Sequence, residues 1–236
     1  MVPVEKLLAR ASTHRAQHGR PLVTLAYAQS LDGSISAGRG QPLGISGPAA
    51  QELTHRLRSA HDAILVGIGT VLADNPLLTV RLVEGPNPQP VVLDSRLRFP
   101  LQARLLSGPH SPWIAMGASA PAASRLALEK AGARLLYLPS DEGGRVSLTA
   151  LLDCLGQQGV NSLMVEGGAR VITSFLAEGL VDQVVLTIAP VFVGGLQAVD
   201  GLVGKSANNR LVGYPRLDVV GSEFLGQDLV VWGDLI

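Results

Sequence analysis

Short aliphatic runs alternate with stretches of helical periodicity along most of this chain. Leu22–Ala28, Ala63–Val66, Val91–Leu93, Trp113–Met116, Arg134–Leu138, Leu163–Val165 and Val184–Ala189 read as strands. Helices are predicted from Ser46 to about Ser59, over Ala120–Ala131, from Ser147 to about Gln158, and from a Glu166-Gly167-Gly168 turn to near Gly179, with one helical turn over Thr70–Ala73. Strands that read as continuous apolar runs are covered on both faces, and parallel neighbours need a crossover, usually helical. The pattern therefore predicts an α/β fold of three layers around a mixed, mainly parallel sheet. Leu217–Phe224 and Leu229–Trp232, around Gly226-Gln227-Asp228, predict a C-terminal antiparallel hairpin. Residues 3–18 read as one N-terminal helix, with Pro3 in its first turn and Gly19 as its stop. Ser46 and Ser147 are the expected caps. The chain divides into that helix, over 1–20, and one domain over 21–236.

Composition removes whole classes of function. Of 236 residues 47% are hydrophobic and 16% charged, with 19 basic against 19 acidic. Zero net charge argues against nucleic-acid binding through bulk positive charge. The hydrophobic content argues against long disorder. No apolar run approaches the roughly 18 residues of a membrane span. Charges through Met1–Gly19 exclude a secretory signal, so a cytoplasmic protein is expected. The single cysteine, Cys154, excludes an intrachain disulfide and reads as core. The histidines have no metal-ligand spacing, so no metal is expected. The His-x-Glu and Pro-Cys-x-x-Cys pair of zinc nucleobase deaminases is missing.

Four motifs carry candidate chemistry. Val66-Gly67-Ile68-Gly69 follows a strand like the start of a dinucleotide fingerprint, with Asp94 as the corresponding ribose acid. Leu72 in the third glycine position and Pro76, Pro86, Pro88 and Pro90 in the crossover argue against a standard Rossmann unit. Val165-Glu166-Gly167-Gly168-Ala169-Arg170 joins a strand to a helix. It is either an anion-binding helix start with an acid at the sheet edge, or a tight turn with a solvated glutamate. Ser30-Leu31-Asp32-Gly33 places an acid beyond another strand, or is simply an Asp-Gly turn. Arg58 and Arg81 are candidate phosphate ligands by their forked geometry, against the ordinary reading of solvated arginines.

Together these pieces resemble a known family. Ser30-Leu31-Asp32-Gly33, the block Ala63-Ile64-Leu65-Val66-Gly67-Ile68-Gly69-Thr70-Val71-Leu72-Ala73-Asp74-Asn75-Pro76-Leu77-Leu78-Thr79-Val80-Arg81, Val92-Leu93-Asp94-Ser95, Val165-Glu166-Gly167-Gly168, Gly179-Leu180-Val181-Asp182 and Ile188-Ala189-Pro190 stand in the order found in the reductase domain of riboflavin biosynthesis. The likeness spans about residues 21–233, and the long block is its specific part. It implies a dihydrofolate-reductase-like fold, a homodimer and NADPH. It implies reduction of the ribosyl group of a ribosylamino-pyrimidine 5′-phosphate to ribityl. By matching position, Ala28, Thr70, Asp74, Ser95 and Gly168, Ala169, Arg170, Val171, Ile172, Thr173 and Ser174 would lie along the dinucleotide. Arg58, Leu78, Arg81 and Glu166 would meet the substrate. Three departures accompany the likeness. Ala26 stands where many bifunctional members have lysine, Pro42 and Gly44 replace a serine and a tryptophan, and the deaminase half has no counterpart.

A mechanism consistent with these residues puts Glu166 first for orienting or protonating the reacting end, with Asp32 or Asp74 second. Arg58 and Arg81 would fix the substrate phosphate, and Gly167-Gly168 with the following helix a cofactor phosphate. Arg96, Arg98 and Arg170 are the candidates for selecting the 2′-phosphate of NADPH. The competing readings are a dihydrofolate-reductase-like enzyme acting on another pterin or pyrimidine, and a silent nucleotide-binding module.

Overall fold

A computed structural model describes residues 2–141, 143–202, 205–207 and 210–236. The chain opens with helices α1 (Val4–Leu8) and α2 (Ala11–His18), then strands β1 (Leu22–Ser30) and β2 (Ser34–Ser36). Next come α3 (Pro48–Ala60), β3 (Ala63–Gly67), α4 (Ile68–Asp74), β4 (Gln89–Leu93) and β5 (Trp113–Met116). They are followed by α5 (Ala122–Lys130), β6 (Arg134–Tyr137), α6 (Leu148–Gln157), β7 (Ser162–Gly167), α7 (Ala169–Ala177) and β8 (Gln183–Ala189). The short strands β9 (Leu196–Gln197), β10 (Lys205–Ala207) and β11 (Arg210–Val212) precede the closing pair β12 (Leu217–Leu225) and β13 (Asp228–Leu235).

A nine-stranded sheet runs in the order β12-β13-β8-β1-β7-β3-β4-β5-β6. The pairs from β8 through β6 are parallel. β13 joins β8 antiparallel, and β12 joins β13 antiparallel, which is the expected C-terminal hairpin. The parallel strands bury residues on both faces, as a helix-covered sheet must. Along β3, Ile64 and Val66 point into one core with Leu53 and Leu57 of α3, while Ala63 and Leu65 point into the other with Leu151, Leu152, Leu155 and Phe175 of α6 and α7. The result is the three-layer, mixed, mainly parallel α/β architecture read from the sequence.

Two local expectations need correction. The single helix over 3–18 is broken at Ala9, whose amide bonds back to the Lys6 carbonyl before Arg10 opens α2. Tertiary anchors explain the break. Val2 and Val4 are buried in the core beside α3, whereas Arg15 reaches Asn161 at 2.7 Å and the Gly156 carbonyl at 3.3 Å. Ser46 is also not the cap of α3. Gly47 holds that position, Pro48 fills the first turn, and the Gly47 amide donates to Asp228 Oδ2 at 2.7 Å. Ser147 does cap α6, accepting the Ala150 amide at 3.2 Å. Cys154 packs half-buried against the core.

Parallel order gathers the C-terminal ends of β1, β7, β3 and β4 at one rim, where open α/β sheets bind their ligands. A buried network holds the end of α3 below that rim. His61 Nδ1 donates to the Leu57 carbonyl at 2.7 Å, and the Thr24 hydroxyl donates to Nε2 at 2.8 Å while accepting from Gln183 Nε2 at 2.7 Å. Burial lowers the His61 pKa to about 4, so the ring is neutral at pH 7.

Candidate active site

α3 is amphipathic in a way that serves the rim. Leu53 and Leu57 belong to the core and form the apolar floor of a cavity of about 300 Å³, whose polar wall on this helix is Gln51, Thr54, His55 and Arg58. Helical spacing of three and four residues puts those four side chains on one face. β1 contributes Ala26, Tyr27 and Ala28 to the opposite wall, β7 contributes Met164 and Glu166, and β8 contributes Val185 and Thr187. Arg81 closes the cavity from the loop after α4.

Glu166 and Arg58 form its electrostatic centre. Arg58 Nε donates to Glu166 Oε2 at 2.7 Å, Nη2 donates to Oε1, and Nη1 donates to the Thr79 carbonyl at 3.1 Å. The two side chains are 11% and 21% exposed, so the pair is largely withdrawn from water. Such a pair is directional and hard to break from one side. Three of the five Arg58 N–H groups are thereby used. Arg58 is thus placed to set the Glu166 carboxylate first, with two donors left for a ligand. Exposed Arg81 keeps more of its fork, donating once from Nη1 to Thr79 Oγ1 at 3.0 Å.

The segment before Arg81 is strained. Buried Leu78 has φ of 54°, unusual for a bulky side chain. Its side chain goes into the core rather than the cavity lining. Beyond it, the Val80 amide donates to Asn87 Oδ1 at 2.7 Å and the Arg81 amide donates to His55 Nδ1 at 2.9 Å. Burial, and then the charges of Arg58 and Arg81, lower the His55 pKa, with Glu166 opposing.

Asp32 does not join this cluster. Its carboxylate accepts from Ser30 Oγ at 2.6 Å, Ser34 Oγ at 2.8 Å, and the amides of Val193 and Gly194 at 2.8 Å each. The Ser30 hydroxyl first, then the Val193 amide and Ser34 hydroxyl, hold its carboxyl well below the usual carboxylate range. Asp32 clamps two rim loops and lies outside the lining of the Glu166–Arg58–Arg81 cavity, so the structure does not bring it together with the other expected catalytic residue, Glu166. Asp94, the ribose acid of the dinucleotide reading, is 1% exposed and cannot reach a ribose.

The other predicted positions lie along the adjoining rim. Gly167 and Gly168, at φ of 138° and 90°, turn β7 into α7. A Cβ on Gly168 would sit 3.2 Å from Thr70 Oγ1, so Thr70 on α4 and the glycine turn face each other across a narrow gap. Asp74 ends α4 at the surface, and Ser95, just past β4, accepts the Val146 amide at 2.9 Å. Arg170 is exposed at the start of α7, but Val171 and Ile172 are core residues, and Thr173 Oγ1 accepts the Asp200 amide at 3.1 Å. Only the backbone of the first α7 turn is placed for a ligand there, and Val171 and Ile172 contribute no side chain to it. The structure fits a dinucleotide at this turn: two positive-φ glycines, the first-turn amides of a nine-residue helix and the Thr70 hydroxyl, which a Cβ on Gly168 would crowd, face one opening.

Comparison with known proteins decides the lineage. The family described as the RibD C-terminal domain matches residues 21–231. The chain belongs to the RibD C-terminal domain family. It is 41% identical over 197 residues to the 2,5-diamino-6-ribosylamino-4(3H)-pyrimidinone 5′-phosphate reductase of Archaeoglobus fulgidus, covering 79% of this chain and 88% of the relative. It is 40% identical to the protein of the same description from Methanothermobacter thermautotrophicus, covering 90% and 97%. Among solved structures, Acinetobacter baumannii RibD superposes with a TM-score of 0.83 at 27% identity, over 98% of this chain and 62% of that one. This member of the family thus spans less than two thirds of that RibD chain. Within the family framework, His55, Gln51 and Thr187 are cavity residues that sequence reasoning missed. The signal for His55 was present in its three-residue spacing from Arg58.

Among the described residues no helix is long and apolar enough to cross a membrane, and no group of metal-ligating side chains is found.

Proposed function

We propose that this chain reduces the ribosyl group of a ribosylamino-pyrimidine 5′-phosphate to ribityl, with NADPH as reductant, as a cytoplasmic step of riboflavin biosynthesis. The observation that carries the reading is the Glu166–Arg58 pair in one cavity with Arg81, beside a glycine turn shaped for a dinucleotide. All three side chains converge on one space, which a silent binding module would not require. The diaminopyrimidinone is the favoured ring, because the stand-alone relatives are described by it and Ala26 puts no cation on the β1 wall.

When bound, the reduced nicotinamide would supply a hydride to C1′ of the ring-opened sugar's imine, whose nitrogen has first taken a proton from solvent, so that the iminium plus hydride gives the neutral amine. Glu166, held by Arg58 through both oxygens, faces the nitrogen end and stabilises the iminium cation formed when the imine is protonated. Because both its oxygens already accept from Arg58, its role is orienting and electrostatic. Arg81 takes the substrate phosphate, and that binding energy aligns C1′. The first turn of α7 takes a cofactor phosphate, and exposed Arg170, Arg96 and Arg98 are the cations available to a 2′-phosphate. Leu78 shapes the substrate side through its backbone turn.

A homodimer is part of the proposal. β12 is an edge strand whose Val219, Val220 and Phe224 are 56%, 66% and 71% exposed, an apolar edge that a second copy would cover. Phe224→Lys is expected to yield monomers in light scattering.

The test of function is nicotinamide oxidation with the diamino substrate, its deaminated form and dihydrofolate. The expected result is turnover on the diamino compound, with product mass increased by one hydride and one proton. Turnover on dihydrofolate alone would overturn the reading.

A further inference from the structure

We propose that His55 is a positioning residue of the substrate site: through its Nδ1 lone pair it holds the Arg81 amide, and so seats the Leu78–Arg81 turn on the cavity wall. This rests on the reading of Arg81 as the phosphate ligand.

The argument starts from the direction of the hydrogen bond. An amide N–H only donates, so Nδ1, 2.9 Å away, accepts and carries no proton. The proton of the neutral ring is then on Nε2. An imidazolium has no acceptor and would set N–H against N–H. The charged groups facing the ring are Arg58 on its own helix, Arg81 on the loop and Glu166 on β7. The ring is 5% exposed, so a lost partner here is not replaced freely by water.

The turn needs such a pin. A left-handed conformation is costly for a non-glycine residue and persists only where surroundings impose it. Leu78 adopts it at φ of 54°. Three side chains fix the residues that follow: Arg58 Nη1 on the Thr79 carbonyl, Asn87 Oδ1 on the Val80 amide, and His55 Nδ1 on the Arg81 amide. Two of the three come from α3, one turn apart. The helix that aims Arg58 at Glu166 therefore also fixes where the Arg81 side chain starts, so the two ends of the substrate share one rigid mount.

Two isosteric variants separate this role from general packing. Asn offers an acceptor where Nδ1 stands, whereas Gln places its polar end where Nε2 stands. His55→Gln is expected to raise the substrate KM about tenfold, and His55→Asn to stay within about threefold of the parent, as the loss or retention of one buried hydrogen bond implies. The nicotinamide KM should move in neither. Hydrogen exchange at the Arg81 amide supplies a readout independent of activity: protection is kept in His55→Asn and lost in His55→Gln. Equal exchange in both variants, or equal substrate KM, would overturn the proposal. If the parent protein turned over none of the pyrimidine substrates, the functional reading would fail, and the exchange data alone would still decide whether His55 holds the turn.

Discussion

The two sides of the rim are built from different materials. The side we assign to the substrate is built by side chains: Arg58 pairs with Glu166 from 108 residues away, and the His55 ring holds the backbone amide of Arg81. The side we assign to the cofactor consists of backbone. Gly167 and Gly168 make the turn, the first α7 amides face outward, and Val171 and Ile172 behind them belong to the core. The difference has a physical consequence. The substrate side is damaged by removing atoms, because each charged group leaves a partner unpaired. The cofactor side is damaged by adding them, because its function is empty space and a conformation that L side chains resist.

The largest effect should come from adding atoms on the cofactor side. Gly168→Val brings a branched side chain to φ of 90° and against Thr70 Oγ1, and is expected to weaken nicotinamide binding by about a hundredfold in a fluorescence titration, from strain alone of about 1–3 kcal/mol plus the clash. The helix that carries the substrate side has its own weak point at His61. Its folded pKa, about 4, lies below the unfolded value of about 6.5, so the unfolded chain takes the proton first as pH falls. Stability from this group is complete above about pH 6.5 and declines toward pH 4, by about 3 kcal/mol in total. Urea unfolding of the parent and His61→Gln across that window should show a shallower pH slope in the variant. A smaller effect is expected from Arg81→Ala, which should raise the substrate KM about thirtyfold by loss of one charged contact, with the nicotinamide KM unchanged. Movement of the nicotinamide KM alone would mean that the two sides are exchanged.

The same contrast explains what was legible in the sequence. The β–α alternation and the Gly167-Gly168 turn are local patterns, and the structure places them where reading predicted. The partner of Arg58 is 108 residues away, so spacing alone said nothing of the ion pair. Asp32 was read as an acid at a sheet edge, yet its role depends on the amides of Val193 and Gly194, which only the folded chain brings near. Asp94 looked like a ribose acid because it ends a strand, and burial removes it. The N-terminal segment has apolar residues at helical spacing only through Ala11, and tertiary anchors at its two ends outweigh that short pattern.

The central claim is that Glu166, set by Arg58, acts on the reacting end of the substrate. Its most direct test is turnover of Glu166→Gln with both substrates saturating, on protein whose melting confirms the fold. Loss of the carboxylate charge beside the iminium makes that reactive form scarcer and predicts a fall in kcat of about a hundredfold, with substrate binding largely kept. A rate equal to that of the parent would contradict the account.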